Sequence, residues 1–117
     1  MFEGLTQYED ELLRCLRCAE CHAGCPVYQD VGNESYAARG KLRLMRAVLD
    51  GEMELTDGVI ERINTCLNCN GCMARCPAGL DTDMLIIQAR CEMRASGIPV
   101  PENLDAVRRN IEENNNP

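Results

Sequence analysis

The sequence is poor in aromatic residues and in positive charge, and it contains no long hydrophobic run. Aromatic residues make up 3% of the 117 residues, with no Trp, so the core must be aliphatic. With 12 Lys and Arg against 19 Asp and Glu, the chain lacks the basic excess that a nucleic-acid-binding protein uses to displace counterions. The longest apolar run, residues 84–87, is far shorter than the roughly 20 residues needed to cross a bilayer. These absences argue against a nucleic-acid partner and a transmembrane segment, so membrane association would have to come through a partner protein.

The N-terminus lacks the features of a signal peptide, and this absence bears on the cysteines. The first ten residues are acidic and include no basic segment followed by an apolar stretch. We therefore expect a cytoplasmic protein, in which thiols stay reduced and cysteines bind metal rather than form disulfides. The odd number of cysteines, nine, also disfavours a disulfide framework. With one His and no phosphate-binding glycine loop, the sequence does not predict self-contained acid–base or hydrolytic catalysis.

Eight of the nine cysteines form two copies of one spacing, C-x2-C-x2-C-x3-C-P. The first copy is Cys15, Cys18, Cys21 and Cys25 before Pro26, and the second is Cys66, Cys69, Cys72 and Cys76 before Pro77. Each member of the second copy lies 51 positions after its counterpart. Three thiolates at this spacing can converge on one side of a cubane [4Fe–4S] cluster, whose fourth iron then needs a distant ligand. A residue before proline avoids the α region, which directs the fourth cysteine away from its triplet.

The spacing predicts two clusters with exchanged fourth ligands, because in two-cluster ferredoxins with this run the fourth cysteine ligates the other cluster. The first predicted cluster is held by Cys15, Cys18, Cys21 and Cys76, and the second by Cys66, Cys69, Cys72 and Cys25. Structural zinc is the alternative. Zinc ligands normally come as two pairs with a longer spacer between them, and triplets would crowd a tetrahedral ion.

The remaining segments predict helices, and none shows the alternation of a β-strand. Thr6 and Glu9 match a capping box, and Thr56 is the predicted N-cap of a later helix. A helix is predicted from about 36 to 50, and another should end at residues 96–97. The predicted buried stripe of that later helix is Met84, Ile87, Cys91 and Ala95. A short final helix would carry Leu104, Val107 and Ile111. We expect one all-α domain over residues 1–113 and a disordered tail over 114–117.

The paired motifs, the long helical spacer and the segment ARGKLRLM (residues 38–45) resemble the α-helical ferredoxin family. Its members include an iron–sulfur subunit of heterodisulfide reductase and the iron–sulfur subunits of glycolate-oxidising, lactate-oxidising and anaerobic glycerol-3-phosphate dehydrogenase complexes. The resemblance covers about residues 5 to 100. It implies two [4Fe–4S] clusters between short helices, which relay single electrons from a flavin or other donor to a catalytic partner subunit.

The resemblance also implies the partners and the setting of this domain. Many relatives continue into domains with adjacent Cys-Cys pairs, and this sequence has none. We therefore expect a flavoprotein, a Cys-Cys iron–sulfur subunit or both as partners, in an anaerobic or facultative organism. An iron–sulfur sensor that regulates a partner is the rival function, although no effector element is recognisable and the acidic balance disfavours DNA.

Four further residues each have more than one interpretation. Cys91, outside both motifs, is predicted to be a buried small hydrophobe, with a reactive thiol or a ligand of a disrupted cluster as the alternative. His22 is expected to lie near the first cluster without ligating it, because four cysteines already suffice, with ligation of the cluster as the alternative. Gly24 and Gly71 would either let the backbone approach cluster sulfurs or serve as ordinary turn residues.

A basic run occupies the segment that carries the family resemblance. Its members are Arg39, Lys41, Arg43 and Arg46. They could form a solvated helix face, a docking patch for an acidic partner, or a positive charge that offsets the clusters and eases their reduction. The sequence leaves these three interpretations open.

Overall fold

The computed structural model describes residues 2–116, which form eight α-helices and no strand. The helices are α1 (Glu9–Leu13), α2 (Cys21–Gly24), α3 (Pro26–Val31), α4 (Ala38–Leu49), α5 (Asp57–Asn64), α6 (Gly71–Arg75), α7 (Thr82–Ala95) and α8 (Glu102–Asn114). Two 3-10 turns, Glu3–Tyr8 and Glu34–Tyr36, precede α1 and α4. The all-α prediction is therefore confirmed. Met1, which belongs to the N-terminal segment predicted to lack a signal peptide, lies outside the described residues, as does Pro117 of the predicted tail.

Helix α4 is the centre of the domain, where it packs against α1, α5 and α7. Leu42, Met45 and Val48 lie on its buried face at helical spacing. The helix ends as predicted, because Gly51 adopts the left-handed conformation (φ +74°) that glycine tolerates best. Gly40 is also required, since a Cβ there would lie 2.6 Å from Cα of Ser35 in the preceding 3-10 turn. Helix α4 thereby holds that turn against its first residues.

Side-chain caps define the starts of α5 and α7. The Thr56 hydroxyl accepts a hydrogen bond from the backbone N–H of Val59 (3.4 Å), which confirms the predicted cap of α5. The Asp81 carboxylate accepts from the N–H of Met84 (3.0 Å) at the start of α7. Helix α7 ends at Ala95, as expected from the two residues that follow it.

The predicted capping box at the N-terminus is wrong. Thr6 lies inside the first 3-10 turn, and no side chain caps either that turn or α1. The reason is tertiary, because Phe2 and Leu5 are both fully buried in the core. The chain must coil before Thr6 to place these two side chains there, so helical structure begins earlier than the local pattern indicates.

The predicted buried face of α7 is wrong at three of its four positions, and only Met84 packs partly against the core. The side chains that enter the core are Leu85, Ile86, Ala89 and Met93. Ile87 and Cys91 are exposed, so Cys91 is not the buried small hydrophobe that its spacing predicted. Helix α7 carries two apolar patterns at helical spacing. The pattern that matches the positions of α4 and α5 is buried.

Helix α8 has the predicted amphipathic spacing but little to pack against. Leu104, Val107 and Ile111 remain 40–47% exposed. The helix runs to Asn114, one residue into the segment predicted to be a tail. No helix formed by residues 2–116 combines the length and the apolar character needed to span a membrane.

Candidate functional site

The two cysteine motifs share one backbone conformation although most of the residues between their cysteines differ. Arg17 (φ 57°) and Ala19 (φ 66°) are left-handed in the first loop, and their counterparts Asn68 (φ 52°) and Asn70 (φ 62°) are left-handed in the second. Asn tolerates this region, whereas Arg and Ala each pay roughly 1–2 kcal/mol to occupy it. Left-handed residues curve a loop so that its N–H groups face one concave side, as in many anion and iron–sulfur sites. The two motifs therefore repeat each other in backbone conformation as well as in cysteine spacing.

The third and fourth cysteines of each motif also occupy equivalent places. Cys21 opens α2, and Cys72 lies at the start of α6. Cys25 (φ −100°, ψ 109°) and Cys76 (φ −74°, ψ 114°) are both extended, as expected for residues before proline. Each fourth cysteine therefore turns the chain out of the short helix that its third cysteine begins.

Gly24 and Gly71 face each other where α2 contacts α6, a contact that neither interpretation from the sequence included. A Cβ on Gly24 would lie 2.8 Å from the carbonyl carbon of Gly71 and nearer still to its oxygen. A Cβ on Gly71 would overlap the carbonyl oxygen of Gly24 in the same way. The absence of both side chains lets the two motifs meet backbone to backbone, which sets the distance between them.

Two cavities are each lined by cysteines of both motifs. The first cavity is lined by Cys15, Cys18, Cys21 and Cys76, together with Cys72. The second is lined by Cys66, Cys69, Cys72 and Cys25. The structure thus brings together, around one cavity each, the two sets of four cysteines named from the spacing.

The two cavities share a wall. Ala38, Cys72 and Thr82 line both of them. Ala38 and Thr82 are buried, and apolar residues such as Leu42 and Leu80 complete the wall of the first cavity. A redox group in one cavity would therefore be separated from a group in the other by about one layer of side chains.

The donor set suits a group larger than one metal ion. Within residues 2–116, no three His, Cys, Asp or Glu side chains converge as ligands of a single ion. The thiols instead surround two volumes, and sulfur-only donor sets on apolar walls are the environment in which [4Fe–4S] clusters are held. The residues present therefore fit such clusters.

Burial and hydrogen bonding act in opposite directions on the third cysteine of each motif. Burial raises the pKa of the Cys21 thiol, while a hydrogen bond from the backbone N–H of Arg39 opposes the rise. Burial likewise raises the pKa of Cys72, and the Thr82 hydroxyl opposes it by donating to the sulfur. In the first residues of α3, the N–H of Tyr28 donates to Sγ of Cys25 (3.4 Å). These donors would stabilise negative charge on the sulfurs.

Each cavity opens to the surface beside an exposed leucine. Leu16 (67% exposed) lines the first cavity, and its counterpart Leu67 (64%) lines the second. The second cysteine of each motif, Cys18 or Cys69, is exposed on the same loop. These loops therefore place exposed side chains in the lining of each cavity.

Arg90 of α7 supports the second loop, and the sequence patterns did not identify it. Its Nη1 donates to Oδ1 of Asn68 (2.5 Å), and its Nη2 donates to the carbonyls of Ile63 (2.8 Å) and Cys66 (2.6 Å). The amide of Asn68 in turn donates to Asp83 (2.7 Å). Burial lowers the pKa of Arg90. The sequence offered one signal for this role, an arginine next to the buried position Ala89. The groups to which Arg90 donates are known only from the fold.

The basic run on α4 divides among three environments. Arg39 donates to the carbonyl of Arg17 (2.6 Å) and pairs with Glu34, so it supports the first loop. Arg46 pairs with Glu9 and Asp50 away from the cavities, while Arg43 is exposed. Lys41 is buried and lines the second cavity. No single face of the helix therefore holds all four charges.

His22 lies in α2 and does not line either cavity. Its ring stacks on Tyr28 with centroids 4.3 Å apart. This position agrees with a residue that packs near the first motif without serving as a ligand.

Comparison with known proteins gives one family match and several relatives. Residues 11–80 match the 4Fe-4S dicluster domain. The chain is 40% identical over 83 residues to a probable glycolate oxidase iron–sulfur subunit of Bacillus subtilis, covering 70% of this chain and 19% of that protein. It is 40% identical over 72 residues to the glycolate oxidase iron–sulfur subunit of Escherichia coli, covering 61% and 17%. It is also 26% identical over 118 residues to the uncharacterised electron transport protein YkgF of Escherichia coli, covering 98% and 24%.

The chain spans about a fifth of the length of these relatives. No solved structure matches it.

Proposed function

Because the chain belongs to the 4Fe-4S dicluster domain family, we propose that it is the electron-transfer iron–sulfur subunit of an oxidoreductase complex and carries two [4Fe–4S] clusters. The observation that carries this proposal is the pair of cavities with a shared wall. Each is lined by the three cysteines of one triplet and the fourth cysteine of the other motif, and Cys72 lines both.

We assign the ligands by cavity. Cys76 completes the first triplet and Cys25 completes the second, so each motif contributes to both sites. This exchange ties the two halves of the chain together, because neither site can be completed by one motif alone. The backbone contact between Gly24 and Gly71 supports the same arrangement, since it holds the two motifs at a short and constant separation.

The chain's own residues would bind the clusters, shield them from water and tune their reduction potentials. A [4Fe–4S] cluster supplies reversible one-electron storage when bound. The thiolates hold it, and N–H and O–H donors such as those of Arg39, Tyr28 and Thr82 stabilise negative charge on the sulfurs. Ala38, which lines both cavities, would exclude water between the sites, and Leu42 would exclude it from the first. The exposed loops beside Leu16 and Leu67 leave each site one edge near solvent, where a redox partner can approach.

For partners, we propose a flavoprotein, a Cys-Cys iron–sulfur subunit or both, within a cytoplasmic complex. The names of two relatives describe iron–sulfur subunits of glycolate oxidase, and the third is described as an electron transport protein. These names support a 2-hydroxy-acid-oxidising complex over a heterodisulfide reductase as the setting. Affinity capture of the chain under anaerobic conditions, followed by identification of bound subunits and flavin, tests this choice.

The first experiment is anaerobic purification with iron and sulfide quantitation and EPR of the dithionite-reduced protein. We expect about eight irons and eight sulfides per chain, with signals from two magnetically interacting clusters. Zinc without sulfide would refute the proposal. One cluster only, lost in air, would support the iron–sulfur sensor instead.

The ligand assignment is tested by matching the spectra of serine variants. Cys18→Ser and Cys69→Ser lie in different triplets and provide reference spectra for loss of the first and of the second cluster. We expect Cys25→Ser to match Cys69→Ser, because its thiol lines the second cavity. Cys91→Ser is the matched control and should keep both clusters, since Cys91 is exposed and lines neither cavity. A Cys25→Ser spectrum that matches Cys18→Ser would show that each motif binds its own cluster.

A further inference from the structure

Lys41 is an unusual residue for the interior of this domain. It is 2% exposed and lies among the largest fully buried side chains. Among the ion pairs formed by residues 2–116, none includes Lys41. An ammonium group placed in an apolar interior is strongly unfavourable unless a negative group compensates it.

The second cavity provides the compensating group when its cysteines hold a cluster. Lys41 lines that cavity together with Cys25, Cys66, Cys69 and Cys72, and it does not line the first. An oxidised [4Fe–4S] cluster with four thiolates carries a net charge of about −2, and the reduced form carries one more negative charge. A buried positive charge therefore stabilises both forms and stabilises the reduced form more.

The first cavity has no equivalent free charge. Arg39 lines it, but the guanidinium pairs with Glu34 (2.6 Å) and donates to the carbonyl of Arg17, and its side chain is 26% exposed. The Glu34 carboxylate offsets part of the field of Arg39, and solvent screens part of the remainder. The two cavities are therefore alike in their cysteines and unlike in their charge.

Asp83 is the opposing charge in the second cavity. It lines the cavity and is half-buried, and its carboxylate accepts from the amide of Asn68, which Arg90 also holds. Because Arg90 lies nearby as a second cation, the field of Asp83 is partly offset from that side. Lys41 is more deeply buried than Asp83, so solvent screens its charge less than that of Asp83.

We propose that Lys41 is the internal counter-charge of the second cluster and makes that cluster the more easily reduced of the two. This inference rests on the proposed two-cluster function. It assigns a direction within the domain, since an electron entering at the Cys15–Cys18 loop moves to the site beside Lys41 and leaves by the Cys66–Cys69 loop.

The test is a potentiometric titration of the holo-protein followed by EPR, with the clusters identified from the Cys18→Ser and Cys69→Ser spectra. In Lys41→Met the half-reduction potential of the second cluster should fall, and that of the first should fall less. Lys41→Gln keeps N–H donors without the charge and should show most of the same fall. Asp83→Asn keeps an acceptor for Asn68 and should raise the potential of the second cluster. Arg43→Met is the control, because Arg43 is exposed on the same helix. This variant should change the half-reduction potential of neither cluster.

The outcomes separate this inference from the proposed function. About eight irons per chain with unmoved potentials in Lys41→Met, or an equal fall of both clusters, would overturn the role of Lys41 and leave the two-cluster function standing. Loss of the second cluster in both Lys41 variants would make Lys41 a packing requirement and would also overturn the inference. Fewer than two clusters in the unmodified protein would refute the proposed function itself.

Discussion

The contact between Gly24 and Gly71 gives the sharpest prediction, because it joins the two motifs through backbone atoms alone. In Gly24→Ala the new methyl group would lie 2.8 Å from the carbonyl carbon of Gly71, where ordinary contact begins at 3.4 Å. The obstructing atoms belong to the backbone of α6, so no side chain can rotate away. Helices α2 and α6 must move apart by about half an ångström or more, which stretches the site on each side of them.

Overpacking of this kind typically costs 1–3 kcal/mol, and we expect about 2 kcal/mol here because the obstruction is backbone. For a domain of this size that corresponds to a fall in Tm of about 8 °C. Gly71→Ala should cost a similar amount. The double variant should cost less than the two single variants added together, because one separation of the helices accommodates both methyl groups.

The assay is thermal unfolding of the anaerobic holo-protein at a fixed scan rate, followed by loss of cluster absorption. Gly58→Ala is the matched control, since its methyl group meets no backbone atom of another element: the end of the Arg62 side chain lies at 3.2 Å and Oγ1 of Thr56 at 3.8 Å, an ordinary contact. Alanine within α5 should raise stability by about 0.5–1 kcal/mol. A Gly24→Ala protein as stable as the unmodified chain would refute the backbone contact. Strictly additive costs in the double variant would refute the explanation by a shared separation.

Three further predictions concern the loops and the ninth cysteine. Arg90→Met should leave the carbonyls at the end of α5 without their donor and should free the side chain of Asn68. The second cluster should therefore be lost first, and iron analysis should approach about four iron atoms per chain. Ala19→Gly should raise the free-energy barrier to loss of the first cluster by about 1 kcal/mol and so slow that loss, because glycine pays no penalty at φ 66°. Unchanged cluster-release kinetics would contradict this prediction. Cys91 should react with a maleimide to one label per holo chain without cluster loss, measured by mass spectrometry and visible absorption, because it is exposed.

Much of the candidate site was predictable because its information is local. The cysteine spacing named the two sets of four residues that line the two cavities, and the residue before each proline is extended as expected. The family resemblance and the all-α fold are confirmed by the match to residues 11–80 and by the helices. The ligand assignment itself, the number of clusters and the cytoplasmic location stay predictions.

The errors of sequence reasoning came where two local patterns competed. Helix α7 carries two apolar stripes, and only the positions of its neighbours decide that Met93 is buried and Cys91 exposed. The capping box at Thr6 is a valid local signal that the burial of Phe2 and Leu5 overrides. Neither choice can be made from spacing alone, because helical periodicity identifies a face without naming its partner.

The cysteine spacing was enough to predict iron–sulfur ligation, since two cysteine triplets each followed by a proline-linked fourth cysteine leave few alternatives. How the two halves of the chain meet, and how they differ, follows from tertiary packing. Gly24 and Gly71 lie 47 residues apart in sequence, and no local pattern indicates that they touch. Lys41 and Arg39 are two residues apart on one helix, yet one is buried in the second cavity and the other is ion-paired beside the first. The physical reason is that charge and contact depend on which surfaces pack together.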